Sequence, residues 1–131
     1  MVPDVTTTSC NETPCIMTNN IPSTMKAIKV NGNKAAVKSD VPLPKLRDTY
    51  VLCKVETIAL NPTDWKHIKG TLAAPDGTAG CDFAGTVVEI GKGVTKDLKP
   101  GDRVAGTTNG SNASNKEDGW YVPTHCVEDK C

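Results

Sequence analysis

The chain has 131 residues, with 15 Lys plus Arg balanced by 15 Asp plus Glu, a formal net charge of zero. That length supports one modest core, and with one Phe, two Trp and two Tyr its volume must come from Val, Ile, Leu and Ala. The charge balance without a basic block predicts no nucleic-acid partner and no anionic membrane surface, and no apolar run approaches the roughly 20 residues of a transmembrane helix.

In chain order, residues 1–24 are rich in Thr, Ser, Asn and Pro, show no period and are expected to be a disordered extension. They carry neither a positive n-region nor an apolar h-region, so they read as no secretory signal and the protein is expected in the cytoplasm. The first strand is predicted at MKAIKV, with Met25, Ala27 and Lys29 alternating against Lys26, Ile28 and Val30. A turn at Gly32-Asn33 leads to a short strand near Ala36–Val37. DVPLPKLRD, with Pro42 and Pro44, is expected as an extended connector, because each proline removes a ladder donor.

TYVLCKVETIAL is the longest strand candidate, with Val51, Cys53 and Val55 on one face and Leu52 and Ile58 on the other. Neither face is wholly polar, which suits a covered strand. Asn61-Pro62 ends it, and Pro62 suits the first turn of a short helix, PTDWKHIKG, stopped at Gly70. DFAGTVVEIG reads as another strand, in which Gly85 signals a bulge or a close backbone approach. Lys99-Pro100-Gly101-Asp102 is a tight turn into the strand RVAG. Short strands separated by turn signals predict a small β-barrel.

The six cysteines form no C-x-x-C pair, and His67 and His125 stand in no zinc-ligand spacing. They are expected to be reduced thiols. Three Asn-x-Ser/Thr triplets, at Asn11, Asn109 and Asn112, are read as ordinary polar sequence in a chain that is not secreted.

Over residues 25–119, MKAIKV, ALNPTDWKHIKG, GCDFAGTVVEIGKGV, LKPGDRVAG and NGSNASNKEDG resemble, in this order, the N-terminal GroES-like catalytic domain of medium-chain dehydrogenase/reductases. Several pieces are similar in wording to the fungal trans-acting enoyl reductases that assist polyketide synthases. The resemblance implies a mainly β fold with short helices, a GroES-like partly open β-barrel whose Rossmann domain is missing from the chain. Gly91-Lys92-Gly93 lacks the third glycine of a dinucleotide fingerprint and sits in a turn context. In zinc-dependent relatives a Cys stands where this chain has Asn61, and Gly-His-Glu where it has Gly80-Cys81-Asp82. The residues present cannot assemble a tetrahedral zinc site, so the resemblance points to the metal-free branch.

That branch implies hydride transfer from NADPH to the β-carbon of an enone or α,β-unsaturated thioester, here a carrier-bound polyketide held by a synthase. By resemblance Thr63, Asp64, Trp65 and Lys66 line the nicotinamide end of the cleft, and Lys66 is the candidate catalytic donor to the cofactor or to the developing enolate. The residues alone leave other roles open. Lys66 also reads as a solvated helix lysine, Trp65 as a core anchor, Asp64 as a helix-start carboxylate, and Cys81 as a small buried hydrophobe. Residues 120–131, WYVPTHCVEDKC, depart from the Ala-Phe-Ala-Glu-Tyr type of run usual in the family and are expected to be a divergent tail, as from a frameshift, a retained intron or a truncated gene. Loss of later strands would leave open edges and marginal stability. The alternatives to a reductase are a non-catalytic GroES-like interaction module or a truncated product without activity.

Overall fold

The computed structural model describes residues 21–70, 73–119, 121–122 and 124–128. Strands β1 (Thr24–Asn31) and β2 (Lys34–Pro42) form a hairpin; β3 (Tyr50–Ala59), α1 (Pro62–Lys69), β4 (Asp82–Ile90), β5 (Arg103–Thr107), β6 (Tyr121–Val122) and β7 (Thr124–Glu128) follow. The described strands form two antiparallel sheets, ordered β2-β1-β6 and β5-β4-β3-β7. The domain is mainly β with one short helix among the described residues, and the sheets do not close into a barrel.

β3 organises the core because both its faces are covered. Val51, Cys53 and Val55 pack with Phe83 and Val87 of β4, flanked by Ile58, Ile90, Val94, Leu98 and Val104. Tyr50 and Leu52 face the other way, onto Ile21, Leu43, Leu46 and Val88. Gly85 lies opposite Val55, beside a register shift between Val55 and Thr57. A Cβ there would fall 2.1 Å from the Lys54 carbonyl oxygen, so the expected close approach is real. The turn before β5 is held by the Asp102 carboxylate, which accepts the Lys99 N–H at 2.9 Å, and by Gly101 at φ +97.

The hairpin departs from its expected form. β2 has nine residues rather than a short stretch near Ala36–Val37, and it runs to Pro42 at the start of the expected connector. Its side chains carry no hydrophobic period, because all but the half-buried Val41 are exposed; backbone pairing to β1 makes the strand. Pro42 is tolerated because it stands last, on an edge strand. In β1 the expected alternation fails after Ala27. Met25, Ala27 and Val30 are buried and Lys29 is half-buried, with a bulge between the Met25 and Ala27 pairings.

The expected extension of residues 1–24 falls mostly outside the described residues, but Ile21 packs under Tyr50 and Leu52, and Thr24 opens β1. Within the segment expected as a divergent tail, β6 pairs with β1 and β7 lies along β3. Among the described residues, Cys53 and Cys81 form no disulfide.

Two segments connect the sheets to the helix region. Residues 77–79 run beside β1, with Ala79 N–H donating to Ile28 O and Val30 N–H to Gly77 O, both at 2.9 Å. The NGSNASNKEDG loop closes over them: Ser111 N–H reaches Thr78 O at 2.6 Å and Thr78 N–H reaches Lys116 O at 2.9 Å. Arg47 clamps that loop from the connector by an ion pair with the buried Asp118, while its guanidinium lies 3.5 Å from the Tyr50 ring centroid. Burial is the larger influence on Asp118 and pushes its carboxyl up, although the Arg47 contact pulls the other way.

Candidate functional site

The candidate residues sit on α1, between the end of β3 and the segment leading to β4. Asn61 is the residue before the helix, with extended backbone at φ −119 and ψ 154, and Pro62 takes the first turn, where its missing N–H costs nothing. The Asp64 carboxylate reaches back to accept the Asn61 N–H at 2.7 Å, and Asp64 N–H donates to Asn61 O at 3.0 Å. A negative group in the first turn and Lys66, His67 and Lys69 in the last complement the helix dipole. Gly70 N–H closes the helix onto Lys66 O at 2.7 Å.

The helix divides the four candidates. Asn61, Asp64, Trp65 and Ile68, spaced as one helical face, line an apolar groove of about 470 Å³ against Ile28, Ala35, Val37 and Ala79. Thr63 and Lys66 line no part of that groove and are exposed on the remaining surface of the helix. Asp64 is buried at 5 % exposure and holds the helix start, so it meets the groove only at its edge. Trp65 is 53 % exposed, which removes the core-anchor reading. The Lys66 ammonium lies 5.9 Å from the Trp65 ring centroid, at the outer limit of a cation–π contact.

Asn61 and the Gly80-Cys81-Asp82 run, matched to the zinc-binding segments of relatives, are tied together through Asp82. Asn61 Nδ2 donates to Asp82 Oδ2 at 2.8 Å, tying the start of α1 to the start of β4. Cys81, half-buried, has its thiol pushed up to about 11, first by burial, then by a contact with Asp64 and that carboxylate's charge. Asp64 Oδ1 is buried and makes no hydrogen bond of ordinary geometry, which leaves the weak Cys81 thiol donor as a neighbour that can offset part of the cost. A thiol held protonated at neutral pH is a poor nucleophile and a poor metal ligand. Among the described residues no group of three His, Cys, Asp or Glu side chains is placed to hold a metal ion.

Asp82 was not among the sequence-derived candidates. The Asn61-x-x-Asp64 spacing signals the helix start, but nothing local signals the contact with Asp82, which depends on the pairing of β3 with β4. The Arg47–Asp118 clamp was equally hidden, being a contact between loops 71 residues apart.

Residues 47–126 match the alcohol dehydrogenase GroES-like domain. Trans-enoyl reductase resD of Aspergillus sclerotiorum is 50% identical over 89 residues, 68% of this chain and 25% of that protein. Trans-enoyl reductase TOXD of Cochliobolus carbonum is 48% identical over 96 residues, 73% of this chain and 32% of that protein. Among solved structures, the quinone oxidoreductase of Coxiella burnetii superimposes with a TM-score of 0.64 at 27% identity, covering 79% of this chain and 34% of that one. The chain thus spans about a quarter to a third of the length of these relatives. With the family match extending over most of the chain, and the partly open antiparallel β architecture on which it falls, the protein belongs to the alcohol dehydrogenase GroES-like domain family of the medium-chain oxidoreductases.

Proposed function

We propose that the chain is the GroES-like part of an NADPH-dependent, zinc-independent enoyl reductase whose substrate is an α,β-unsaturated polyketide thioester presented on the carrier of a synthase. The observation that carries this reading is the helix start: Asn61, hydrogen-bonded to Asp82, stands where a zinc-binding relative has a ligand, and Thr63 and Lys66 are left exposed on the helix it anchors. The similarity to two trans-enoyl reductases supports the reaction class.

NADPH, when bound, supplies the hydride that adds to the β-carbon. Thr63 and Lys66 are the residues that would hold its nicotinamide end. The Lys66 ammonium would donate a hydrogen bond to the cofactor or to the thioester oxygen as negative charge develops there. Asp64 fixes the start of the helix, and so the position of Lys66. Trp65 stands between the groove, which it lines, and the Lys66 ammonium 5.9 Å from its ring centroid.

The test is an NADPH titration of the purified chain, followed by nicotinamide fluorescence and thermal shift. A saturable response that weakens in Lys66→Ala is expected, because the substitution removes an exposed donor without disturbing the core. No response up to millimolar NADPH from a folded sample would overturn the reading of this chain as a reductase that holds its cofactor by itself. One feature favours a second, non-catalytic reading as an interaction module: a hairpin with almost every β2 side chain in solvent. A stable protein complex formed without any dependence on cofactor would select it.

A further inference from the structure

The β1–β2 hairpin has two chemically different faces. Cross-strand pairing places Ile28 with Val37 and Val30 with Ala35 on one side, where Ile28, Ala35 and Val37 line the α1 groove and Val30 is buried. On the other side Ala27 pairs with Lys38, Lys29 with Ala36 and Asn31 with Lys34. Side chains of paired residues share a face, so Lys29, Lys34 and Lys38 project together. They border a hollow of about 480 Å³ that Pro75 and Asp76 complete.

Lys29 is half-buried, and its Nζ donates to neutral acceptors, Asp76 O at 3.1 Å and Thr78 Oγ1 at 3.0 Å. Burial is the first influence on this ammonium and lowers its proton affinity, although the Asp76 and Glu117 charges offset part of the cost. Among the described residues the ion pairs run through Arg47 and Arg103, and none includes these lysines. The face is therefore a set of cations, one partly desolvated, with the Asp76 carboxylate at its edge and no ion pair to these lysines among the described residues.

We propose that this lysine face of the hairpin is a docking surface for an acidic segment of a partner protein. The spacing argues for an extended partner over a single anionic group. Lys34 and Lys38 lie about 13 Å apart along β2 at roughly 3.3 Å per residue, with Lys29 between them on the neighbouring strand. One phosphate could meet this row of charges only by drawing both long side chains inward, at a cost in side-chain entropy. Carboxylates spaced along a chain meet all three charges. The proposal concerns a face other than the one that carries Lys66, and it stands whether or not the chain transfers hydride.

The test uses the full chain and a fluorescein-labelled deca-glutamate peptide, followed by anisotropy at low salt. Saturable binding is expected, lost as salt rises and weakened about tenfold or more in Lys34→Glu/Lys38→Glu. Lys96→Glu/Lys99→Glu, the same charge change in the exposed loop before β5, is the control and is expected to leave binding near wild type. Lys29 is left intact because it also anchors Thr78. Circular dichroism of each variant separates lost binding from lost folding, and Lys34→Ala/Lys38→Ala gives the milder version. Equal weakening by both pairs would overturn the proposal in favour of net charge alone. Equal competition by millimolar inorganic phosphate would overturn it in favour of a simple anion pocket, and absence of saturable binding would end it.

Discussion

The β3–β4–β5 sheet and the β1–β2 hairpin are built from similar residue types but placed under different constraints. β3 is covered on both faces and β4 presents Phe83, Gly85 and Val87 to the interior. β2 is an edge strand with Val37 at 68 % exposure, carrying Lys34, Lys38, a terminal Pro42 and a bulge beside Ser39 and Asp40. Lysines, a proline and a bulge are the devices by which exposed sheet edges avoid pairing with other chains. The first region specifies the fold, whereas the second can tolerate change and carries the exposed chemistry. The helix α1 stands at the boundary, with Asp64 buried toward the first region and Lys66 exposed.

The strongest way to break that division is at Gly85. An Ala Cβ would sit 2.1 Å from Lys54 O and 3.0 Å from Val55 Cα, both backbone, so no side chain can move aside to admit it. Gly85→Ala is expected to cost about 3 kcal/mol or more, since overpacking against backbone forces the two central strands apart. Urea unfolding followed by tryptophan fluorescence or circular dichroism checks this. A variant within 1 kcal/mol of wild type, as a rough bound, would show that the β3–β4 contact is looser than described.

A smaller effect tests the boundary through Cys81. Its thiol is raised from 9.0 to about 11, by burial first and by the Asp64 contact and charge next. The folded state therefore keeps the proton to higher pH than the unfolded state. The stabilising contribution is fully present below pH 9 and is lost as pH rises through about 11. Peptide-resolved alkylation of the native protein with iodoacetamide should show Cys81 reacting with a midpoint near 11, and Cys81→Ala should flatten the fall in stability between those values. A midpoint at or below the ordinary thiol range would mean that the thiol is neither buried nor faced by Asp64 as described.

The same division explains which features were legible in the sequence. β3, β4, β5 and α1 follow from local signals: an apolar run interrupted at Asn61-Pro62, a glycine in a strand, a Lys-Pro-Gly-Asp turn. Gly85 could be read as a close approach because no other residue fits such a place. β2 could not be read at full length, since its residues bury nothing and a strand made only by backbone pairing leaves no period. Of the site, Asn61 and Asp64 were visible as a helix start and Thr63 and Lys66 through the family resemblance. The Asn61–Asp82 bond and the inward burial of Asp64 were not, because both depend on how β4 lies against β3.

The smallest expected effect is the cleanest comparison, a pair of identical substitutions. Val→Thr keeps the β-branched shape and exchanges a methyl for a hydroxyl, so its cost reports burial more than strand propensity. At Val55, 5 % exposed between β3 and Phe83, the hydroxyl is taken out of water, and a loss of about 1–3 kcal/mol is expected. At Val37, 68 % exposed, the hydroxyl stays solvated and the change should lie within about 0.5 kcal/mol of zero. Urea midpoints of the two variants measured side by side decide it. A Val37→Thr loss comparable to that of Val55→Thr would mean that something in solution, another copy or a longer chain segment, covers the hairpin. In that case the apolar groove beside α1, and not the lysine face, would be the first place to look for it.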